Sequence, residues 1–322
     1  MPRCPHGAFF LIFFHSDLAL KKNMIVILGP TASGKTRLGV KLASYLQGEI
    51  ISADSRQVYR GMDLGTGKDL SEYRLPDTTI PSHLIDIIDP RQEFNVFEYQ
   101  KRFYDVFRSL RAKGILPIVV GGTGLYLEAV LAAYEMPEAG SHEELRRELA
   151  DKPINELQDI LLAMKPDLHN KTDLEDRERL IRKIEIEQAR KNKTGVNIQR
   201  PEINAYVFGV HWPRPQLRKR IAARLKERLD AGLVEEVARL QAGGLSWERL
   251  DSFGLEYRYV ARYLQKQMTT EEMINSLETA IGQFAKRQMT WFRRMEKKGI
   301  QIHWVGAHDY DTIQSRATEV LK

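Results

Sequence analysis

The chain of 322 residues is 43% hydrophobic and 29% charged, the ordinary balance of a soluble globular protein, and it can bury a full core with an addition. Its one cysteine, Cys4, excludes a disulfide framework and a cysteine-based zinc site and fits a reducing cytoplasm. The net charge is +6, divided as +2 over residues 1–23, 0 over 24–136, −1 over 137–200 and +5 over 201–322. A basic excess gathered in the C-terminal part points to a polyanionic partner larger than one nucleotide.

Residues 1–23 read as a leader outside the fold, with Met24 as an alternative start. Their apolar run AFFLIFF (Ala8 to Phe14) is too short to span a bilayer, and Asp17 and two lysines follow it where a signal peptide needs small residues. No segment predicts a membrane span. The run Met24 to Leu28 predicts a buried strand that opens the first part of a core, 24–136. It leads straight into GPTASGKT (Gly29 to Thr36), a phosphate-loop pattern. Gly29 and Gly34 let the backbone turn its N–H groups into one concavity. Lys35 adds a point charge, Thr36 offers a hydroxyl to Mg²⁺, and the following helix points its positive end at the same place.

A second strand, near 49–52, ends at Asp54. At the carboxyl end of an open α/β sheet, where ligands gather, that carboxylate can take a proton or hold Mg²⁺ through water. A turn or helix-capping aspartate fits the spacing equally well. Further strands are expected near 84–88, 115–120, 204–210 and 300–305, with an amphipathic helix from Val96 to Leu110 that ends at Gly114. The strand at 115–120 runs into Gly121-Gly122-Thr123-Gly124, where an ATP-hydrolysing enzyme would place a Mg²⁺ aspartate. These glycines allow close backbone approach by a ligand. In LIDIIDP, Asp86 and Asp89 fit a magnesium site or a strand-end turn.

Residues 137–200 carry no convincing strand and predict helices around 141–150, 153–164 and 173–192, an insertion within the core. The core resumes over 201–322. There, a helix bears Arg220 and Arg224 one turn apart, either able to clamp a diphosphate. The last long helix, about 271–298, carries Leu277, Ile281, Phe284, Trp291, Phe292 and Met295 on one arc. Lys286, Arg287, Arg293, Arg294, Lys297 and Lys298 lie on the next, a solvated face or a nucleic-acid surface. The histidines make no metal-ligand spacing. Together these patterns give an α/β fold, a phosphate-loop NTPase-like parallel sheet flanked by helices with a helical insertion domain.

In combination and order, GPTASGKT, ISADSRQVYRGMDLGTGK, HLIDIIDP, VVGGTGLYL, RERLIRKIEIEQ, LRKRI…DAGLVEEV and AKRQMTWFRR resemble the tRNA dimethylallyltransferases of bacterial type, also called tRNA isopentenyltransferases. The resemblance implies transfer of a dimethylallyl group from dimethylallyl diphosphate to N6 of the adenosine 3′ of the tRNA anticodon, position 37, with release of diphosphate and no nucleotide hydrolysis. It implies Asp54 as general base, with Thr36 and Arg220 beside it. Gly29, Pro30, Thr31, Ala32, Ser33, Gly34, Lys35, Thr36 and Arg220 would hold the diphosphate, the neighbouring Arg224 leaving that last match open. Thr36 would help hold Mg²⁺, the implied cofactor. Asp54, Ser55, Arg56, Gln57 and Thr123 would contact tRNA, as would Lys286, Arg287, Arg293 and Arg294 and the helical insertion. A monomer is expected. The stretch FGLEYRY (Phe253 to Tyr259) departs from the family's usual Gly-Tyr-Lys-Glu, and the insertion is shorter; both bear on tRNA selection more than on catalysis. The rival activities are an adenylate dimethylallyltransferase acting on free AMP, ADP or ATP and a small-molecule phosphate-loop kinase. Neither needs the insertion or the basic helix.

Overall fold

A computed structural model describes residues 21–136, 143–165, 175–191 and 199–322; residues 1–20 of the expected leader lie outside these. Six parallel strands form one sheet: β1 (Met24–Leu28), β2 (Glu49–Ala53), β3 (Ser82–His83), β4 (Pro117–Gly121), β5 (Ala205–His211) and β6 (His303–Gly306), in the order β3-β2-β4-β1-β5-β6. The uninterrupted apolar run of β1 suits its central place, where both faces are buried. Leu28 stands in register with Gly121 and Gly209, and Ala53 with Gly121. The chain therefore leaves β1, β2 and β4 at one level, and the loops beginning at Gly29, Asp54 and Gly122 open on a shared crevice.

Residues 84–88 do not form the expected strand. β3 covers Ser82–His83 alone, and Leu84 and Asp86 stand at φ 62° and 55°, which breaks an extended run. The N–H groups of Asp86, Ile87 and Ile88 are spent on Gln57 and Val58 carbonyls at 2.8–3.0 Å instead of a sheet ladder.

Helices cover both faces. α1 (Lys35–Leu46) seals one with Leu38 and Leu42, joined by Ile313 and Ala317 of the C-terminal helix Tyr310–Leu321. α2 (Val96–Ala112) and α3 (Gly124–Leu131) seal the other through Phe103, Phe107 and Tyr126. α4 (Glu143–Ala150), α5 (Ile154–Met164) and α6 (Arg177–Lys191) follow, and Leu149, Leu157, Leu161, Leu180 and Ile184 make a small core of their own. The expected helical residues 141–142, 173–174 and 192 lie outside the described residues.

After β5, α7 (Arg214–Asp230) and the later α11 (Thr270–Lys297) pack Leu217, Ile221, Leu225, Leu277 and Ala285 around Ala32 of the phosphate loop. Between them α8 (Leu233–Ala242), α9 (Trp247–Ser252) and α10 (Leu255–Leu264) enclose Val58 and Met62. The carboxylate of Glu236 on α8 accepts the N–H groups of Asp63, Leu64 and Gly65 at 2.7–3.0 Å and the Tyr257 hydroxyl at 2.7 Å. This buried anion fixes the turn 63–65 from the α8–α10 side. α12 is the helix Tyr310–Leu321 already placed. Among the described residues no helix is long and apolar enough to cross a membrane.

Candidate active site

The phosphate loop is shaped by its glycines. A Cβ on Gly29 would sit 2.8 Å from Ser33 Oγ and 3.0 Å from the Val210 carbonyl, and Gly34 caps α1 at φ 81°. The first turn of α1 holds no acidic side chain and its cap supplies no side-chain bond, so its N–H groups are available to an anion. Ser33 Oγ is buried without a partner among the described residues. Lys35 donates to the Pro30 carbonyl at 3.3 Å. Burial lowers its ammonium from 10.5 to about 8, against the opposing pull of Asp54.

Asp54 follows the last residue of β2 and lines one cavity with Thr31, Lys35 and Thr36 of the loop. Its Oδ1 accepts the Arg56 N–H at 3.0 Å, an Asx-type turn that leaves the other carboxylate oxygen open to a ligand. The turn and the cavity position coexist, so the two readings of Asp54 do not compete. Thr123 Oγ1 accepts the Ser55 N–H at 3.0 Å, and the Thr123 N–H reaches the Ala53 carbonyl at 3.1 Å. Gln57 spans from Ser52 Oγ at 3.0 Å to the Gly67 carbonyl at 3.2 Å. The Thr123 bonds join the ends of β2 and β4, and Gln57 joins β2 to the turn at Gly67.

The glycines at the end of β4 are required by packing, and Gly121 also lines the cavity that Lys35, Thr36 and Asp54 border. A Cβ on Gly121 would lie 2.2 Å from the Ala53 carbonyl, one on Gly122 2.4 Å from Gln288 Nε2, and one on Gly124 2.3 Å from the Trp291 ring. The neighbours that come close are β2 and α11. Gln288 of α11 accepts the Thr31 N–H at 2.8 Å and donates to the Gly122 carbonyl at 2.9 Å. It ties the phosphate loop to the β4 loop. Asp86, weighed as a magnesium ligand, pairs with Lys68, whose buried ammonium also reaches Asp63 and the Tyr59 carbonyl, each at 2.7 Å. It belongs to a turn.

Of the two arginines left open, Arg224 lines this cavity, while Arg220 stands against the phosphate loop itself, its Nη2 3.8 Å from where a Cβ on Gly34 would be. Arg220 donates Nε to the Ala32 carbonyl at 2.8 Å and stacks on Trp212 with its Cζ 4.6 Å from the ring centroid. Trp212 itself donates to the Ser33 carbonyl at 2.9 Å, so this pair braces the loop. One helical turn on, Arg224 lines the cavity, ion-paired with Asp69. A further turn brings Arg228, buried and bonded to Glu256 at 3.1 Å; the same carboxylate holds Arg56 at 2.7 Å. Arg228 and Glu256 went unseen in the sequence, although the spacing Arg220, Arg224, Arg228 on one helix face is a readable signal.

The basic face of α11 divides. Lys286 and Arg293 are exposed and line a groove of about 870 Å³ with Pro30, Trp212 and α7. Arg287 is exposed, with its guanidinium 5.9 Å from the Phe284 ring centroid. Arg294 and Lys298, expected to share that surface, both engage the buried Glu128, at 2.7 and 2.5 Å. Their first partner is inside the protein because α3 and α11 cross with Glu128 facing the seam.

The sequence profile of the family described as IPP transferase matches residues 57–295. The chain belongs to the IPP transferase family. The chain is 56% identical over 299 residues to tRNA dimethylallyltransferase 1 of Syntrophus aciditrophicus, a match covering 92% of the chain and 98% of that relative. It resembles the crystal structure of the full-length tRNA isopentenylpyrophosphate transferase of Bacillus halodurans with a TM-score of 0.68 and 31% identity, over 94% and 97% of the two chains. A eukaryotic dimethylallyltransferase acting on tRNA shares the fold, with a TM-score of 0.74 and 23% identity over 92% of this chain and 77% of that one.

Proposed function

We propose that the protein is a prenyltransferase that moves a dimethylallyl group from dimethylallyl diphosphate to tRNA, onto N6 of adenosine 37. The observation that carries the reading is one cavity lined by Lys35 and Thr36 of the phosphate loop, Arg224, and the carboxylate of Asp54. An anion cradle and a proton acceptor stand together there, while β4 ends in glycines rather than a magnesium aspartate. The names of the relatives support it, and the exposed Lys286 and Arg293 suit a polyanionic acceptor.

In this reading the loop N–H groups, Lys35 and Arg224 hold the diphosphate with its allylic C1 turned toward Asp54. The adenine leaves its stack to reach the crevice. The N6–C1 bond forms as the C1–O bond breaks, the bonding electron pair departs with diphosphate, and Asp54 takes the N6 proton. Oxygen donors from Thr36 and, through water, Asp54 suit Mg²⁺, which binds through one or two protein groups and completes its shell with phosphates and water. Such an ion would neutralise charge on the leaving group.

The test incubates purified protein with dimethylallyl diphosphate, Mg²⁺ and either bulk tRNA or AMP, followed by mass spectrometry of the nucleosides. Prenylated adenosine from tRNA alone is the expected result. Prenylated AMP with unmodified tRNA would instead favour the free-nucleotide enzyme, and ADP formed in a parallel incubation with ATP and hydroxylated acceptors the kinase.

A further inference from the structure

The lining of the cavity includes a guanidinium that the transfer chemistry above does not use. Arg228 is 8% exposed, yet its side chain borders the same cavity as Thr31, Lys35, Thr36 and Asp54. Its Nη1 is bonded to Glu256, while its Nε–H is buried with no partner among the described residues. A buried N–H without an acceptor is costly, and a charged one more so. Such a group persists where something outside the protein completes it.

Three further features point to an anion as that completion. The single carboxylate of Glu256 is the ion-pair partner of both Arg56 and Arg228, so two desolvated guanidiniums divide one paired carboxylate. Arg224 and Arg228 converge on Gly67: a Cβ there would lie 1.7 Å from Arg228 Nη2 and 3.1 Å from Arg224 Nη2. Asp69 pairs with Arg224, so the like-charge cost that a further anion would relieve falls mainly on Arg228. Burial and the neighbouring Arg224 also press the Arg228 guanidinium toward its neutral form, a strain of the same sign.

We propose that Arg228 is a second diphosphate-binding arginine, whose Nε–H takes an oxygen of the leaving group as the C1–O bond breaks. The inference rests on the transferase reading above. On cleavage the C1–O electron pair passes to the diphosphate, which gains a negative charge, while the N6 proton goes to Asp54. A fixed donor in a dry cavity favours that developing charge over the intact ester and therefore speeds the chemical step.

Arg228→Met removes the group; Arg228→Lys keeps a cation against Glu256 but lacks the guanidinium Nε–H on which the proposal rests. Both variants should bind inorganic diphosphate with Mg²⁺ about tenfold or more weakly by isothermal titration. Each should lose roughly 10²- to 10³-fold in kcat for transfer to tRNA, with tRNA affinity unchanged. Parental diphosphate affinity and kcat in either folded variant would overturn the proposal, as would an equal loss of tRNA affinity. Should the Met variant fail to fold, the Lys variant alone decides. If the parent protein transfers no dimethylallyl group, the transferase reading fails instead, and diphosphate titration still reports on Arg228.

Discussion

Asp54 and Lys35 face the same cavity with opposite tasks, and each yields a distinct test. Asp54→Asn keeps the size of the side chain and its turn with Arg56 but cannot accept the N6 proton. Both substrates should still bind, and single-turnover transfer should slow by about 10²- to 10⁴-fold. A parental rate would remove Asp54 from the chemistry. For Lys35 the pH dependence follows from its depressed pKa of about 8. The free protein loses this charge as pH rises through about 8, so kcat/KM for dimethylallyl diphosphate should fall on the alkaline side, and Lys35→Arg should lack that limb. Stability runs the other way. Between pH 8 and 10.5 the unfolded chain binds the proton that the folded one has released, so this residue's penalty on folding shrinks as pH rises. Lys35→Met should therefore be more stable than the parent at pH 7 by thermal melting, while handling the donor poorly.

At the scale of elements, α11 carries two kinds of cation that look alike in sequence. Lys286 and Arg293 open on the groove beside α7, and replacing both by alanine should weaken tRNA binding at low salt. The log–log salt slope should flatten by up to about one unit for each cation that no longer meets a phosphate, with diphosphate binding unaffected. An unchanged slope in the folded double variant would place the tRNA path elsewhere. Arg294→Ala instead withdraws one partner from the buried Glu128. It should cost about 1–3 kcal/mol of stability in urea melts, discounted within that range because the arginine is half exposed. The contrast shows where sequence reading stopped. Helical periodicity placed all six cations on one arc, but only the crossing of α3 reveals which of them face Glu128. The same limit applies to Arg220 and Arg224: both fit the spacing, and the direction of α7 past the loop sets Arg220 against Ala32 and Gly34 and Arg224 in the cavity. GPTASGKT and the strand ending at Asp54 were legible because local chemistry forces them. The turn at 84–88 was not, since its β-branched and apolar run LIDII mimics a strand while its N–H groups bond to the distant Gln57 and Val58. The glycines after β4 were legible as close approaches, though the approaching partner on α11, Gln288, lies 166 residues beyond Gly122.

For the whole molecule, the site is assembled from opposite ends of the chain. Gln288 bridges Thr31 and Gly122, Glu256 gathers Arg56 and Arg228, and Glu236 pins the turn at 63–65. Glu236→Gln puts an amide where a carboxylate accepts four donors. It should lower stability by about 1–3 kcal/mol, read from the urea midpoint at an unchanged m-value. The central strand has a consequence for synthesis. Met24 of β1 lies beside Ala205 of β5, so one flank of the most buried strand stays bare until the chain has grown by some 180 residues. At about 5–20 residues per second, that interval lasts on the order of 10–40 s. Throughout it the ribosome holds an apolar ribbon whose unsatisfied edge can pair with any neighbour. The nascent chain is thus at its most aggregation-prone while its phosphate loop is already complete in sequence, and it becomes safe only once β5 has emerged.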